Sequence, residues 1–201
     1  MGRIAKYDRD DALDRAIGLF WEKGYFGSSM KQIEQSLDMR PGSLYATFGS
    51  KEGLFGEAMA RYAEHGGAEM AGHLAGYDSV LDGLQDYLRN LAKTFSPDAQ
   101  APSRACLIIK TLLEVSHTDS GLSRQANALI DGIESSLTAV LEQASQKGEL
   151  KPDADCARLA RLIQAQIIGL RSFAQRDTSA EHVVQLGEDM ASMLEGWRAG
   201  R

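Results

Sequence analysis

The sequence predicts an all-α protein of about nine helices, on three observations. Apolar side chains recur at three- and four-residue spacing along most of the 201 residues. There are only four prolines, and Ala, Leu, Gln and Glu are plentiful, which favours helices. No stretch alternates in the manner of a strand, and there is no repeat or low-complexity tract.

Residues 9–23 form the first amphipathic helix, with Leu13, Ile17, Phe20 and Trp21 on one face and Gly24 as its left-handed cap. Ser29 and Gln32 read as a capping box that opens a second helix, with Met30, Ile33 and Leu37 inward. Residues 38–40 make a turn. Pro41 suits the first position of a third helix, because its fixed φ is helical and no amide hydrogen is lost there. Ser50 caps a fourth helix that begins at Lys51, carries Leu54, Phe55, Met59 and Tyr62, and thins out towards Gly76. This helix is expected to bridge two domains, 1–55 and 56–201. Five more helices follow at 79–95, 104–117, 121–147, 154–175 and 179–198, with loops at 96–102 and 148–152. Gly83, Gly132, Gly169 and Gly187 fall inside helical patterns, where they permit close packing, leave room for a ligand, or are simply tolerated.

Composition narrows the function. The net charge is −6, but residues 1–55 are neutral and the remainder carries all of it. A neutral module still holds phosphates through local cations and helix N-termini. No apolar run approaches the ~20 residues of a membrane span. The N-terminus lacks the apolar core of a signal peptide, and Lys6 does not fit a myristoylation motif. Cys106 and Cys156 make neither a disulfide framework nor a zinc set. These features place the chain in the cytoplasm, away from membranes, with reduced thiols.

Two short helices joined by a tight turn suit a helix-turn-helix, whose second helix enters the major groove. Ser28 and Ser29 stand at a helix N-terminus, where hydroxyls and amides bind phosphate. Arg40, Gly42 and Ser43 open the recognition helix, and Gly42 allows close approach. Tyr45 and Thr47 would flank the groove, and Lys51 offers a point charge to a phosphate. Leu44 and Phe48 lie on the opposite face. Taken singly, each of these residues fits a plain three-helix bundle with solvated polar faces. Their order and spacing are far more specific.

The run Phe20-x-x-x-Gly24-Tyr25, Ser28-Ser29-Met30-x-x-Ile33, Gly42-Ser43-Leu44-Tyr45-x-x-Phe48-Gly49-Ser50-Lys51-Glu52-x-Leu54-Phe55 closely resembles the N-terminal domain of the TetR family of bacterial repressors. The resemblance covers about residues 9–55. It implies an all-helical homodimer in which a ligand in the C-terminal domain changes the spacing of two recognition helices. It also implies DNA contacts at Ser28, Ser29, Arg40, Gly42, Ser43, Tyr45, Thr47 and Lys51. Thr47 replaces the family's frequent His, which puts one phosphate contact in question. Asp38 replaces the frequent Gly of the turn.

An effector pocket is expected among Met59, Tyr62, His65, Met70, Tyr87, Phe95, Cys106, Ile109, Leu113, His117 and Gln166, most of which serve equally well as core. Cys106 opens a helix close to Arg104, and both features lower a thiol's pKa. The stretch from Ala105 to Val115 resembles the matching helix of TetR members that sense electrophiles or oxidants through a cysteine. The alternative is a buried, inert thiol. Glu114 and His117 have the E-x-x-H spacing of di-iron bundles, but a second copy and two more inward glutamates are lacking, so no metal, cofactor or catalytic residue is expected. Leu159, Leu162, Ile163, Ile167, Leu170 and Phe173 make an apolar face on the penultimate helix. Val183, Val184, Leu186, Met190, Met193, Leu194 and Trp197 do so on the last, and both suggest a four-helix homodimer interface, the alternative being ordinary core within one chain. The sequence thus reads as a repressor rather than an enzyme, with double-stranded operator DNA, a small-molecule effector and a second copy of itself as partners.

Overall fold

The computed structural model describes residues 8–94, 105–115 and 121–200. Nine α-helices lie among them: α1 Arg9–Gly27, α2 Met30–Leu37, α3 Pro41–Phe48, α4 Lys51–Leu74, α5 Val80–Thr94, α6 Leu107–Val115, α7 Gly121–Gln146, α8 Cys156–Phe173 and α9 Ala180–Met193. A 3-10 turn, Leu194–Trp197, follows α9. No strand forms among the described residues. One isolated antiparallel bridge pairs Leu150 with Arg198. The all-α expectation is met, and the described helix ends fall within a few residues of those read from periodicity. The predicted loop 96–102, Phe95, Arg104 and His117 lie outside the described residues.

The helices gather into two compact units. The first comprises residues 1–64 and 107–129, and the second 65–106 and 130–201. Both α4 and α7 run from one unit into the other.

In the first unit the inward faces of α1 to α4 form a common core. Leu13, Phe20, Ile33, Leu37, Leu44, Phe48, Leu54, Phe55 and Met59 are all buried. The Phe20 and Phe55 rings sit 4.5 Å apart, and Tyr25 meets Phe55 edge-on at 5.1 Å. The Asp8 carboxylate caps α1, accepting the Asp10 amide at 3.0 Å. Arg61 of α4 reaches Asp14 at 2.6 Å and Asp10 at 3.1 Å on α1.

Gly24 departs from expectation. It has positive φ, +74°, but its ψ of −179° lies outside the left-handed helical region. It breaks α1 without ending it, and helical structure resumes through Gly27.

In the second unit α5 packs on α9. Leu81, Leu84 and Leu88 of α5 are buried together with Leu159 and Ile163 of α8 and with Val183, Met190 and Ala191 of α9. Gly187 permits this closeness: a Cβ there would fall 2.3 Å from the Ala92 Cβ. Gly132 and Gly169 face open space and are simply tolerated. The Glu149 carboxylate caps α5, accepting from the Ser79 hydroxyl and the Leu81 amide at 2.9 Å each and from the Val80 amide at 3.0 Å.

The apolar face predicted on α8 and α9 divides in two. Leu159, Ile163, Leu170, Val183, Met190 and Leu194 are core of their own chain. Leu162 and Val184 remain exposed, at 37% and 39%.

Candidate nucleic-acid interface

The α2–α3 pair has the helix-turn-helix form in detail. Ser29 caps α2 through a complete capping box. Its hydroxyl accepts the Gln32 amide at 3.3 Å, and the Gln32 side-chain oxygen accepts the Ser29 amide at 2.8 Å. Asp38 ends the helix at φ 50°, ψ 43° and is the one non-glycine with positive φ among the described residues. The turn is therefore left-handed at Asp38, with a side-chain-bearing residue holding the strain. Arg40 is the N-cap of α3, its side chain makes no capping bond, and Pro41 takes the first turn.

The two faces of α3 separate as expected. Leu44 and Phe48 are buried. Arg40, Gly42 and Thr47 are exposed, Ser43 is half-buried, and Tyr45 is 49% exposed. No side-chain atom comes within 4 Å of where a Cβ on Gly42 would sit, so the start of α3 is open to close approach. The Thr47 hydroxyl donates to the Ser43 carbonyl at 2.8 Å and keeps its oxygen as an acceptor.

Ser28 and Lys51 stand differently from Ser29. Ser28 is only 1% exposed, and its hydroxyl donates to the Tyr25 carbonyl at 3.0 Å. Its hydroxyl is therefore turned inward, where it shapes the corner between α1 and α2. The Lys51 ammonium donates to the Ser28 carbonyl and lies 4.6 Å from the Tyr25 ring centre. Burial pushes the Lys51 pKa down, and the Glu114 charge opposes that. Ser50 caps α4 by accepting the Gly53 amide at 2.9 Å, which sets Lys51 in the first turn beside the corner.

Sequence reasoning missed two residues of this corner, Lys110 and Glu114 of α6. The Lys110 ammonium donates to the Trp21 carbonyl at 2.5 Å. The Glu114 carboxylate accepts the Tyr25 amide at 2.9 Å and the Phe26 amide at 3.3 Å. The only available signal was their opposite charge at i, i+4 spacing on one helix face.

Family models match both parts of this arrangement. The model for bacterial regulatory proteins of the tetR family matches residues 12–58. The model for tetracyclin repressor-like C-terminal domains matches residues 81–187. The chain belongs to the TetR family. One curated relative is the HTH-type transcriptional repressor ComR of Escherichia coli strain K12, 30% identical over 92% of this chain and 88% of its own. Another is the transcriptional regulator UidR of the same strain, 27% identical over 97% and 91%. Among solved structures, a cysteine mutant of the TetR family regulator CifR in complex with 26-base-pair operator DNA superposes with a TM-score of 0.81. It is 30% identical and covers 98% of this chain and 100% of its own.

The predicted effector residues are divided between the two units. Met59, Tyr62, Ile109 and Leu113 belong to the first unit and His65, Met70, Tyr87, Cys106 and Gln166 to the second. Met59 is core, and Tyr62 meets Trp21 edge-on at 5.4 Å. Leu113 was expected to face inward but is 75% exposed. His65 is exposed, while Ile109 and Cys106 are half-buried. Cys106 directly precedes α6. Gln166 donates to the Met193 sulfur at 3.1 Å.

Tyr87 lines a cavity of about 60 Å³ with Glu69, His73, Asn90, Leu91 and Thr94. That volume suits a water or two rather than a drug-sized ligand, which needs roughly 300 Å³ or more. Burial, reinforced by Glu69, raises the Tyr87 pKa. His73 Nε2 approaches Asp86 at 3.3 Å without hydrogen-bond geometry. Burial also raises the pKa of the Cys156 thiol, with Glu142 and Asp155 adding to it. No cluster of His, Cys, Asp and Glu suited to a metal exists among the described residues, and no described helix is long and apolar enough to cross a membrane.

Proposed function

We propose that the protein is a cytoplasmic transcriptional repressor, not an enzyme, that binds a near-palindromic operator as a homodimer and is released by a small-molecule or reactive effector. One observation carries this reading: α3 and its N-cap Arg40 present Gly42, Tyr45 and Thr47 outward, with Ser43 half-buried beside them, on a helix whose opposite face is locked into the core. Such a helix reaches base edges from its first turns. Ser29 and Lys51 lie at the flanking helix starts, where phosphates are held, and Ser28 supports them from beneath. The likeness to CifR, solved on its operator, supports the same docking.

On this reading residues 1–55 read DNA, and residues 56–201 sense the effector and dimerise. Cys106 and Tyr87 are the effector contacts to test first, with Met59, Tyr62, His65, Ile109, Leu113 and Gln166 behind them. Two-fold symmetry would set two α3 helices about 34–36 Å apart, one turn of DNA.

The test is footprinting of purified protein on genomic DNA, followed by affinity for the protected sequence. Protection of a near-palindrome of two half-sites one helical turn apart is expected. Protection of no defined sequence would overturn the proposal.

A further inference from the structure

At the break in α1, Trp21 and Tyr25 stand four residues apart, the spacing of one helical hydrogen bond. Each finds a partner on α6. Lys110 donates to the Trp21 carbonyl, and Glu114 accepts the Tyr25 and Phe26 amides. Lys110 and Glu114 are themselves four apart, so they project from the same side of α6. A cation thus meets a carbonyl and an anion meets two amides, the charge pattern that suits each helix end.

Gly24 fits the same joint. Its φ of +74° is a conformation side chains rarely adopt, and a Cβ there would lie 1.9 Å from Glu114 Oε1. The missing side chain leaves the space that the carboxylate fills.

The joint leads directly to the DNA-facing corner. Tyr25 receives the Ser28 hydroxyl on its carbonyl and the Lys51 ammonium over its ring. Lys51 in turn donates to the Ser28 carbonyl. Ser29, the next residue, caps α2.

We propose that Lys110 and Glu114 are positioning residues for operator reading: they clamp the break at Gly24 and thereby set the α1–α2 corner from which α3 is presented. This rests on the reading of α3 as a DNA-recognition helix. Neither residue touches DNA. The chain crosses from the second unit to the first between Cys106 and Leu107, so α6 is the first element of the DNA-reading unit to follow that crossing.

The experiment uses the full chain, its footprinted operator duplex and an unrelated duplex of equal length. Glu114→Ala is expected to bind the operator about tenfold more weakly, a change of about 1.4 kcal/mol. Affinity for the unrelated duplex should stay near wild type, and the melting temperature should fall by only a few degrees, as one part-buried amide loses its acceptor. Hydrogen exchange at the Tyr25 and Phe26 amides should accelerate. Glu114→Gln, whose amide oxygen still accepts, should recover part of the loss. Lys110→Met, which keeps the bulk and removes the donor, should also lose operator affinity and serves if Glu114→Ala fails to fold.

Wild-type operator affinity and wild-type exchange in folded Glu114→Ala or Lys110→Met would overturn the clamp. Equal losses on both duplexes would also overturn it, because positioning changes discrimination and not general attraction. A wild-type protein that does not discriminate between the duplexes would sink the repressor reading and the operator role with it. The exchange rates would still report whether the joint exists.

Discussion

Asp38 holds φ at +50°, in a region that costs a side-chain-bearing residue roughly 1 kcal/mol. Glycine there should relieve that strain, offset in part by the greater freedom it gives the unfolded chain. Asp38→Gly is expected to raise stability by about 0.5 kcal/mol or less in urea denaturation, and a decrease would show that the Asp side chain does more than tolerate the turn. Lys51 makes a different prediction. Its ammonium bonds the Ser28 carbonyl and sits beside the Tyr25 ring, close to where a phosphate would lie. Lys51→Ala should weaken binding to all duplexes and reduce the salt slope by about one. Unchanged affinity and slope would confine Lys51 to the corner it braces. Ser28, Lys51 and Tyr45 also show what a sequence conveys about single side chains. Tyr45 was readable as outward because its position on α3 opposes Leu44 and Phe48. Ser28 was not, because the turn it sits in folds its hydroxyl inward on Tyr25, and no periodicity governs a turn.

At the level of helices, local chemistry decides the ends and long-range contacts decide the exceptions. The α2 box, Pro41 at the head of α3 and the Ser50 cap of α4 are all written within four residues, so the sequence shows them plainly. The break in α1 is not local. Gly24 marks it, but its carbonyl and amide partners come from α6, almost ninety positions on, and Glu114 in isolation looks more like half of a metal motif. The start of α5 is similar: its cap is Glu149, far along the chain, in a segment that reads simply as loop. Glu149→Ala should leave two part-buried amides without that acceptor and destabilise the second unit by about 2 kcal/mol. Thermal denaturation measures it, and a loss near zero would mean water replaces the carboxylate.

For the whole molecule, two predictions concern charge and assembly. Hydrogen bonds from Arg198 and Gln85 hold the Glu195 carboxyl below the usual glutamate range, and Arg89 does the same for Glu188. Protons therefore bind the unfolded chain first as the pH falls. Their contribution is complete above the ordinary glutamate pKa of about 4.3 and fades as the pH drops through the lower folded values. Stability should decline below that point, less steeply in Glu195→Gln, and added salt should weaken the effect because both groups are exposed. Equal acid limbs for wild type and Glu195→Gln would remove Glu195 from the account. Leu162 and Val184 are the large apolar side chains of α8 and α9 left exposed in a single chain. Leu162→Asp with Val184→Asp should yield monomers in sedimentation at micromolar concentration and lose operator binding, whereas an intact dimer would place the interface elsewhere. The fold class and helix order were legible because local caps mark the short helices and apolar periodicity marks the longer ones, most clearly α5. The burial of single apolar residues was not, since Leu113 and Met59 share one apolar signature although one ends up solvated and the other entombed. The crossing of the chain between units bears on engineering. Hybrid regulators that graft this reading head onto a foreign sensor by cutting near residue 55 or 64 would leave Lys110 and Glu114 behind, so a working transplant should carry 107–129 as a second, separate insert.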